Sequence, residues 1–221
     1  MLYRKIRSYI DAHLRSNEDK ILLIEGARQI GKSYIIRDVG TELYDNYVEI
    51  NFVEDDAGDK IFRNVRTTEE FYLNLSMVAG FKLDKYENTL VFIDEIQHYP
   101  QFLTMLKFLR QEHRYRFICS GSLLGIALKK TVSVPVGSII PKKMYQLDFE
   151  EFLIANDFGE DAIVHLRKSF EQKQPLAPEV HDKVLSLFKR YLLVGGMPDA
   201  VNEYLNSHNI VKVREAQESI R

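Results

Sequence analysis

The chain has one cysteine, Cys119, in 221 residues. A single thiol excludes an internal disulfide framework and a zinc site built on cysteines. Inside an apolar run, Phe117-Ile118-Cys119, it reads as a small buried hydrophobe. Long apolar runs are also missing, and none approaches the roughly 20 residues that cross a bilayer. The N-terminus, MLYRKIRSYIDAHLRS, is too charged for a signal peptide. These absences predict a cytoplasmic protein with no membrane partner. Charge of one sign is scarce: 30 Lys and Arg against 32 Asp and Glu leave a formal charge of −2. Net charge therefore gives no support to a nucleic-acid partner. The histidines, His98 and His113 among them, show no ligand-like clustering. Internal repeats and low-complexity tracts are absent.

What is present begins with a core. The chain is 45% hydrophobic, enough for one large domain or a domain with a small appendage. Leu2, Ile6, Ile10 and Leu14, four apart, predict an amphipathic helix. Apolar runs at 20–24, 89–93 and 116–119, with an alternating segment at 47–52, predict strands, and 143–147 a fifth. Helices are expected at 33–39, stopping near Gly40, at 67–79 with Thr67 and Glu70 at capping-box spacing, and after Pro100. The charged segment 54–59 reads as a solvated loop. Strands alternating with helices imply a parallel sheet with helices on both faces. Beyond residue 148 the strand signal fades. Asp148 is placed to cap a helix, 159–180 is mixed, and 180–194 is helical. The expected division is an α/β core over 1–148 and a small helical, lid-like module over 149–221.

The segment EGARQIGKSY places Gly26 and Gly31 five apart, followed by Lys32 and Ser33. It lies between a predicted buried strand and a predicted helix, the context a phosphate-binding loop requires. There the two glycines let the backbone turn sharply and approach phosphates. The amides of Gly26, Ala27, Arg28, Gln29, Ile30 and Gly31, with the helix N-terminus at Lys32, Ser33 and Tyr34, face the anion. Lys32 reaches the β/γ-phosphates and the Ser33 hydroxyl is a Mg²⁺ ligand. The expected cofactors are ATP and Mg²⁺.

TLVFIDEIQ supplies a second half. Asp94 ends a strand on the edge where ligands gather in parallel sheets, and it can hold Mg²⁺. Glu95 can polarise the attacking water. Two adjacent carboxylates repel unless a cation is near. If the strand ending in Ser120-Gly121-Ser122 lies between the two motif strands, Ser120 first and Ser122 second could sense the γ-phosphate, or cap a helix.

Other residues keep two readings. Arg28 is a nucleotide or neighbour contact, or a solvated arginine. Lys129, Lys130, Lys142 and Lys143 line a nucleic-acid contact or a solvated loop. Gly195-Gly196-Met197-Pro198 is a helix stop and start, or a hinge. Arg110, Arg114, Arg116 and Arg190 are undistinguished candidates for a catalytic arginine.

GARQIGKS, FIDEIQHYPQFLTMLKFLR, CSGSLLG, LDFEEFL and YLLVGGMPDAV, in that order, resemble a family of bacterial and archaeal AAA+-related P-loop ATPases. The resemblance covers nearly the whole chain, and its specific parts are Asp-Glu-Ile-Gln-x-x-Pro and Gly-Gly-Met-Pro. It implies the same roles for Lys32, Ser33, Asp94 and Glu95, and a sensor-like segment at 120–122. Members often show an arginine near the PVGS segment, where this chain has Ser138. Many carry a further C-terminal domain, which is expected beyond Arg221. The expected activity is Mg-dependent ATP hydrolysis driving a conformational switch, with self-association or a protein partner. A low-turnover ATP-binding interaction module is the alternative, and a small-molecule kinase a weaker one. A GTPase is disfavoured because no Asn-Lys-x-Asp motif occurs.

Overall fold

Three of the apolar runs become neighbouring strands. In the computed structural model, which describes residues 2–80, 83–122 and 137–219, β1 (Ile21–Glu25), β2 (Asn46–Asn51), β3 (Thr89–Asp94), β4 (Arg116–Gly121) and β5 (Ile139–Lys143) form one sheet. The order is β2-β3-β4-β1-β5, and every neighbouring pair is parallel. β4 therefore lies between the two motif strands, as the reading of Ser120 required. All of β3 is buried. Successive side chains point to opposite faces, so a strand buried throughout must be covered on both, which is why it carries no polar alternation.

The chain divides into two compact units, Ile6–Met144 and Tyr145–Arg221 with Met1–Lys5. The first holds the sheet. One face packs Leu23, Val91, Ile93 and Cys119 against an aromatic cluster of Phe52, Phe62, Phe71, Tyr99 and Phe102. The Phe52 ring lies 4.7 Å from Phe102 and 4.9 Å from Tyr99, between centroids. This cluster explains the first departure from expectation. Residues 54–57 are not a solvated loop but belong to α3 (Phe52–Ala57), and only Gly58 and Asp59 form an exposed turn. Phe52 is anchored in the core, and Asn51 caps the helix by accepting from the amides of Val53 and Glu54.

Among the described residues, the helices of this unit are α1 (Lys5–Arg15), α2 (Lys32–Leu43), α3, α4 (Thr68–Ala79) and α5 (Gln101–Glu112). The capping box of Thr67 and Glu70 forms on α4, and α5 follows Pro100 with Phe102, Leu103, Met105, Leu106 and Leu109 buried. Helix α2 does not stop at Gly40. It runs on to Leu43, and Gly40 is a packing glycine inside it: a Cβ there would lie 2.7 Å from the Tyr47 ring and 3.0 Å from Leu90. The fifth strand lies four residues earlier than expected, over Ile139–Lys143, where it aligns with Ile21–Glu25.

The second unit is helical: α6 (Phe149–Ala155), α7 (Glu160–Glu171), α8 (Pro178–Val194), α9 (Pro198–Ser207) and α10 (Ile210–Ser219). Asp148 and Glu151 form a capping box at α6. Residues 160–171, expected to be mixed, form a regular helix. Leu147, Phe152, Val194, Ala200, Val201, Tyr204 and Val213 make its core. Gly195 ends α8 at φ 74°. Gly196 meets a different need: Leu147 N–H donates to its carbonyl at 2.7 Å, and a Cβ would fall 2.1 Å from the Leu147 carbonyl oxygen.

Candidate functional site

Two segments meet at the carboxyl edge of the sheet. The first is the loop from Gly26 to Gly31. A Cβ on Gly26 would lie 2.4 Å from the Met144 carbonyl oxygen and 2.5 Å from Ile30 Cδ1, so no larger residue fits. Gly31, at φ 91°, is the left-handed residue that precedes α2, and Gln29 is also left-handed at φ 62°. Ile30 is buried and pins the loop to the body, while Ala27, Arg28 and Gln29 are exposed. Helix α2 then starts at Lys32, with the unpaired amides of its first turn at the loop.

Lys32 is 4% exposed, and its Nζ donates to the carbonyls of Gly26 at 3.1 Å and Ala27 at 2.8 Å. It also faces Glu95 Oε1 at 3.9 Å. Burial holds its ammonium below the usual lysine range, against the opposing pull of Glu95 and Asp94.

The second segment is the end of β3. Asp94 is buried, and its carboxylate gathers three donors: Ser33 Oγ to Oδ2 at 2.6 Å, Glu95 N–H to Oδ1 at 3.0 Å, and the Ser120 hydroxyl to Oδ1. Glu95 is left-handed, φ 52° and ψ 45°. Its Oε2 accepts from Ser122 Oγ at 2.9 Å and from the Gln97 amide. Burial alone would raise the Glu95 carboxyl. The hydrogen bonds from Gln97 and Ser122 and the charge of Lys32 outweigh it and hold the group below the usual range. Glu95 is thus held as an anion beside a lysine.

The structure therefore brings together Gly26, Lys32, Ser33, Asp94, Glu95 and Ser120 from three separate segments. Tyr34, on α2, is 55% exposed. Arg28 is exposed, with no ion pair among the described residues. The four candidate arginines have other partners. Arg110 grips Asp19 through two hydrogen bonds, at 3.0 and 2.8 Å. Arg116, at the opposite end of β4, donates to the carbonyls of His13, Ser16 and Glu18. Arg114 lies 4.4 Å over the Tyr72 ring, and Arg190 donates to the Tyr204 hydroxyl. Lys129 and Lys130 lie outside the described residues, while Lys142 rests over the Tyr9 ring at 4.2 Å. No metal-binding cluster of His, Cys, Asp and Glu occurs among the described residues, and no helix among them is long and apolar enough to cross a membrane. Gln97 was not singled out from the sequence. Its signal was there, an amide two residues after the acid pair.

A parallel sheet with a glycine loop, a buried lysine and a strand-end acid pair at one edge defines a P-loop NTPase fold. The AAA domain family matches residues 18–153, and the chain belongs to it. That family membership makes it a nucleotide-binding, ATPase-like protein. Similar solved structures include C. elegans PCH-2, at a TM-score of 0.54 and 14% identity over 100% of this chain and 70% of that one. The S. cerevisiae Hsp104-ADP complex follows at 0.50 and 16%, over 98% of this chain and 32% of that one. A closed state of Hsp104 with ATPyS and FITC casein gives 0.50 and 18%, over 97% and 38%. The chain thus spans about a third of the Hsp104 chains it matches, and at these identities the likeness establishes the fold alone. No curated protein matches the chain by sequence.

Proposed function

We propose that the chain binds ATP with Mg²⁺ beside residues 26–34 and hydrolyses it. One observation carries the reading: the Ser33 hydroxyl and the Asp94 carboxylate, 61 residues apart, meet at 2.6 Å next to the buried Lys32. A hydroxyl and a carboxylate are hard oxygen donors, a set that suits Mg²⁺ with its remaining positions left to water and phosphate. Ser33 and Asp94 would hold the ion, which when bound neutralises charge on the phosphate oxygens. The glycine loop, closed to any Cβ at Gly26, would carry the phosphates on its amides. Lys32 would exchange its two carbonyl acceptors for phosphate oxygens. Glu95, held as an anion, would orient a water and take its proton as the oxygen attacks. Ser120 would report on the γ-phosphate through Asp94.

The domain assignment belongs to the same proposal, with residues 1–148 as the ATPase core and 149–221 as a lid-like reader of nucleotide state. Loss of γ-phosphate contacts would release one of two arrangements, as in other nucleotide switches.

The engagement of Arg110, Arg114, Arg116 and Arg190 elsewhere favours a second reading, slow turnover by the isolated chain. A transition-state arginine would then come from a second copy or a protein partner, a contribution worth roughly 10³–10⁵ in rate.

Phosphate release from ATP-Mg²⁺ by the wild type and by Glu95→Gln, with ATP binding measured in the same samples, tests both. Turnover lost with binding kept is the expected result. Equal turnover in both proteins refutes the role of Glu95. Binding without turnover in the wild type selects the slow module.

A further inference from the structure

We propose that Gln97 and Ser122 are the positioning residues for Glu95, fixing which of its carboxylate oxygens is presented to water. The inference rests on the ATPase reading above and names two residues that the reading does not use.

Three side chains close a ring. Ser122 Oγ–H donates to Glu95 Oε2 at 2.9 Å. The Gln97 amide sends one hydrogen to the same oxygen and the other to Ser122 Oγ at 3.0 Å. An amide nitrogen has two hydrogens and a hydroxyl has one, so all three are used and none competes. Only one orientation of each group allows this. Turning the Gln97 amide would set its oxygen against a carboxylate. Turning the hydroxyl would leave the amide hydrogen without its acceptor. The Gln97 Oε1 atom is buried with no partner among the described residues, so the amide is oriented from the Glu95 side alone. With Oε2 tied down, Oε1 is the oxygen turned toward Lys32 Nζ, at 3.9 Å.

The backbone beneath the ring needs such support. A non-glycine residue in the left-handed region is strained and persists where its surroundings over-determine it. Glu95 is held there by its own N–H to Asp94 Oδ1 at 3.0 Å, by His98 N–H to its carbonyl at 3.0 Å, and by the ring. Gln97 lies in the 3-10 turn Ile96–His98 after β3, and Ser122 just after β4. Two adjacent strand tips thus set one carboxylate. Reacting groups misplaced by about 1 Å lose up to ~10²-fold in rate, which gives the pair its leverage over chemistry rather than over binding.

The test separates positioning from stapling the two strands together. Ser122→Ala, Gln97→Leu and the double variant would be assayed for kcat of phosphate release, ATP-Mg²⁺ affinity and thermal midpoint, alongside wild type, Ser122→Thr and Glu95→Gln. The expected result is a fall in kcat of about tenfold in each single variant, with affinity within about twofold. The double variant should lie close to the worse single, because residues acting as a unit are not additive. Ser122→Thr, which keeps the hydroxyl, should recover most of the rate. Wild-type kcat in both single variants, with Glu95→Gln inactive, overturns the inference and leaves the ATPase reading standing. A rise in kcat also overturns it, making the ring a latch that restrains Glu95. No phosphate release by wild type, or none dependent on Glu95, removes the ATPase reading and this inference together. Should Ser122→Ala not fold, Gln97→Leu alone decides by the same split between kcat and affinity.

Discussion

Ser33 Oγ donates to Asp94 Oδ2 at 2.6 Å, joining the start of α2 to the end of β3. The same carboxylate accepts from the buried hydroxyl of Ser120 on β4. Asp94 is therefore the acceptor on which three chain segments converge.

Replacing it is expected to act twice. Asp94→Ala leaves the buried Ser120 hydroxyl without its acceptor, at a cost of about 1–3 kcal/mol, and frees the half-buried Ser33 hydroxyl. It also removes a carboxylate proposed to hold Mg²⁺. Phosphate release should fall by about two orders of magnitude, equivalent to roughly 2.7 kcal/mol of barrier. ATP affinity should lose its dependence on Mg²⁺. Titrations of ATP with and without the ion, together with thermal melts, check both effects.

Gly40 sits inside α2, where alanine is ordinarily better by roughly 1 kcal/mol. Here the sign should reverse. The added Cβ would lie 2.7 Å from a Tyr47 ring whose hydroxyl is fixed to Glu49 at 2.9 Å, and 3.0 Å from the buried Leu90. Overpacking of this kind costs about 1–3 kcal/mol. Denaturant melts of Gly40→Ala should show a lower midpoint. A higher one would mean that β2 yields without strain.

His13 links stability to pH. It is buried, and burial first, then the charge of Arg116, lower its pKa below the ordinary 6.5, while a backbone hydrogen bond at Lys20 and the charge of Glu18 oppose this. The folded chain therefore binds this proton less readily than the unfolded chain. Stability from this residue is fully present above the unfolded pKa and is lost as pH falls below about 6.5, toward the folded pKa. A single group contributes at most about 1.4 kcal/mol per pH unit. Denaturation at pH 7.5 and 5.5, compared between wild type and His13→Gln, should show a smaller acid-side loss in the variant.

Cys119 has no exposed surface, and burial pushes its thiol well above the usual range. The thiolate is the reactive form, so the folded chain should resist alkylation. Labelling should rise together with global unfolding across a urea series. Rapid labelling without denaturant would show that β4 opens locally.

Local signals were strong where short-range chemistry decides structure. Thr67 with Glu70, Asp148 as a cap, Pro100 just before its helix, Pro198 opening its own, and the Gly26–Ser33 loop all act within one or two turns, and each has the local form its spacing implies. Residues 54–57 misled because charge on a helix surface resembles charge in a loop, and the anchor that makes α3 a helix is Phe52 in a cluster with Phe62 and Phe102. Gly40 misled for the same reason. A glycine after an apolar stripe looks like a stop, and only the approach of Tyr47 reveals a packing glycine. Gln97 was overlooked because its partners, Glu95 and Ser122, are two and 25 residues away, and only the second carries long-range information.

By itself, the order of residues determined the phosphate loop, the buried parallel strands, the acid pair at a strand end and the helical character after residue 148. These depend on periodicity, on glycine's freedom at positive φ and on capping, all of which are local. Tertiary structure alone decided that β4 lies between β1 and β3, that Asp94 meets both Ser33 and Ser120, that Glu95 is held by Gln97 and Ser122, and that four arginines are engaged elsewhere. Strand order follows from how two helix-covered faces share one core, a property of the whole chain that no single window contains.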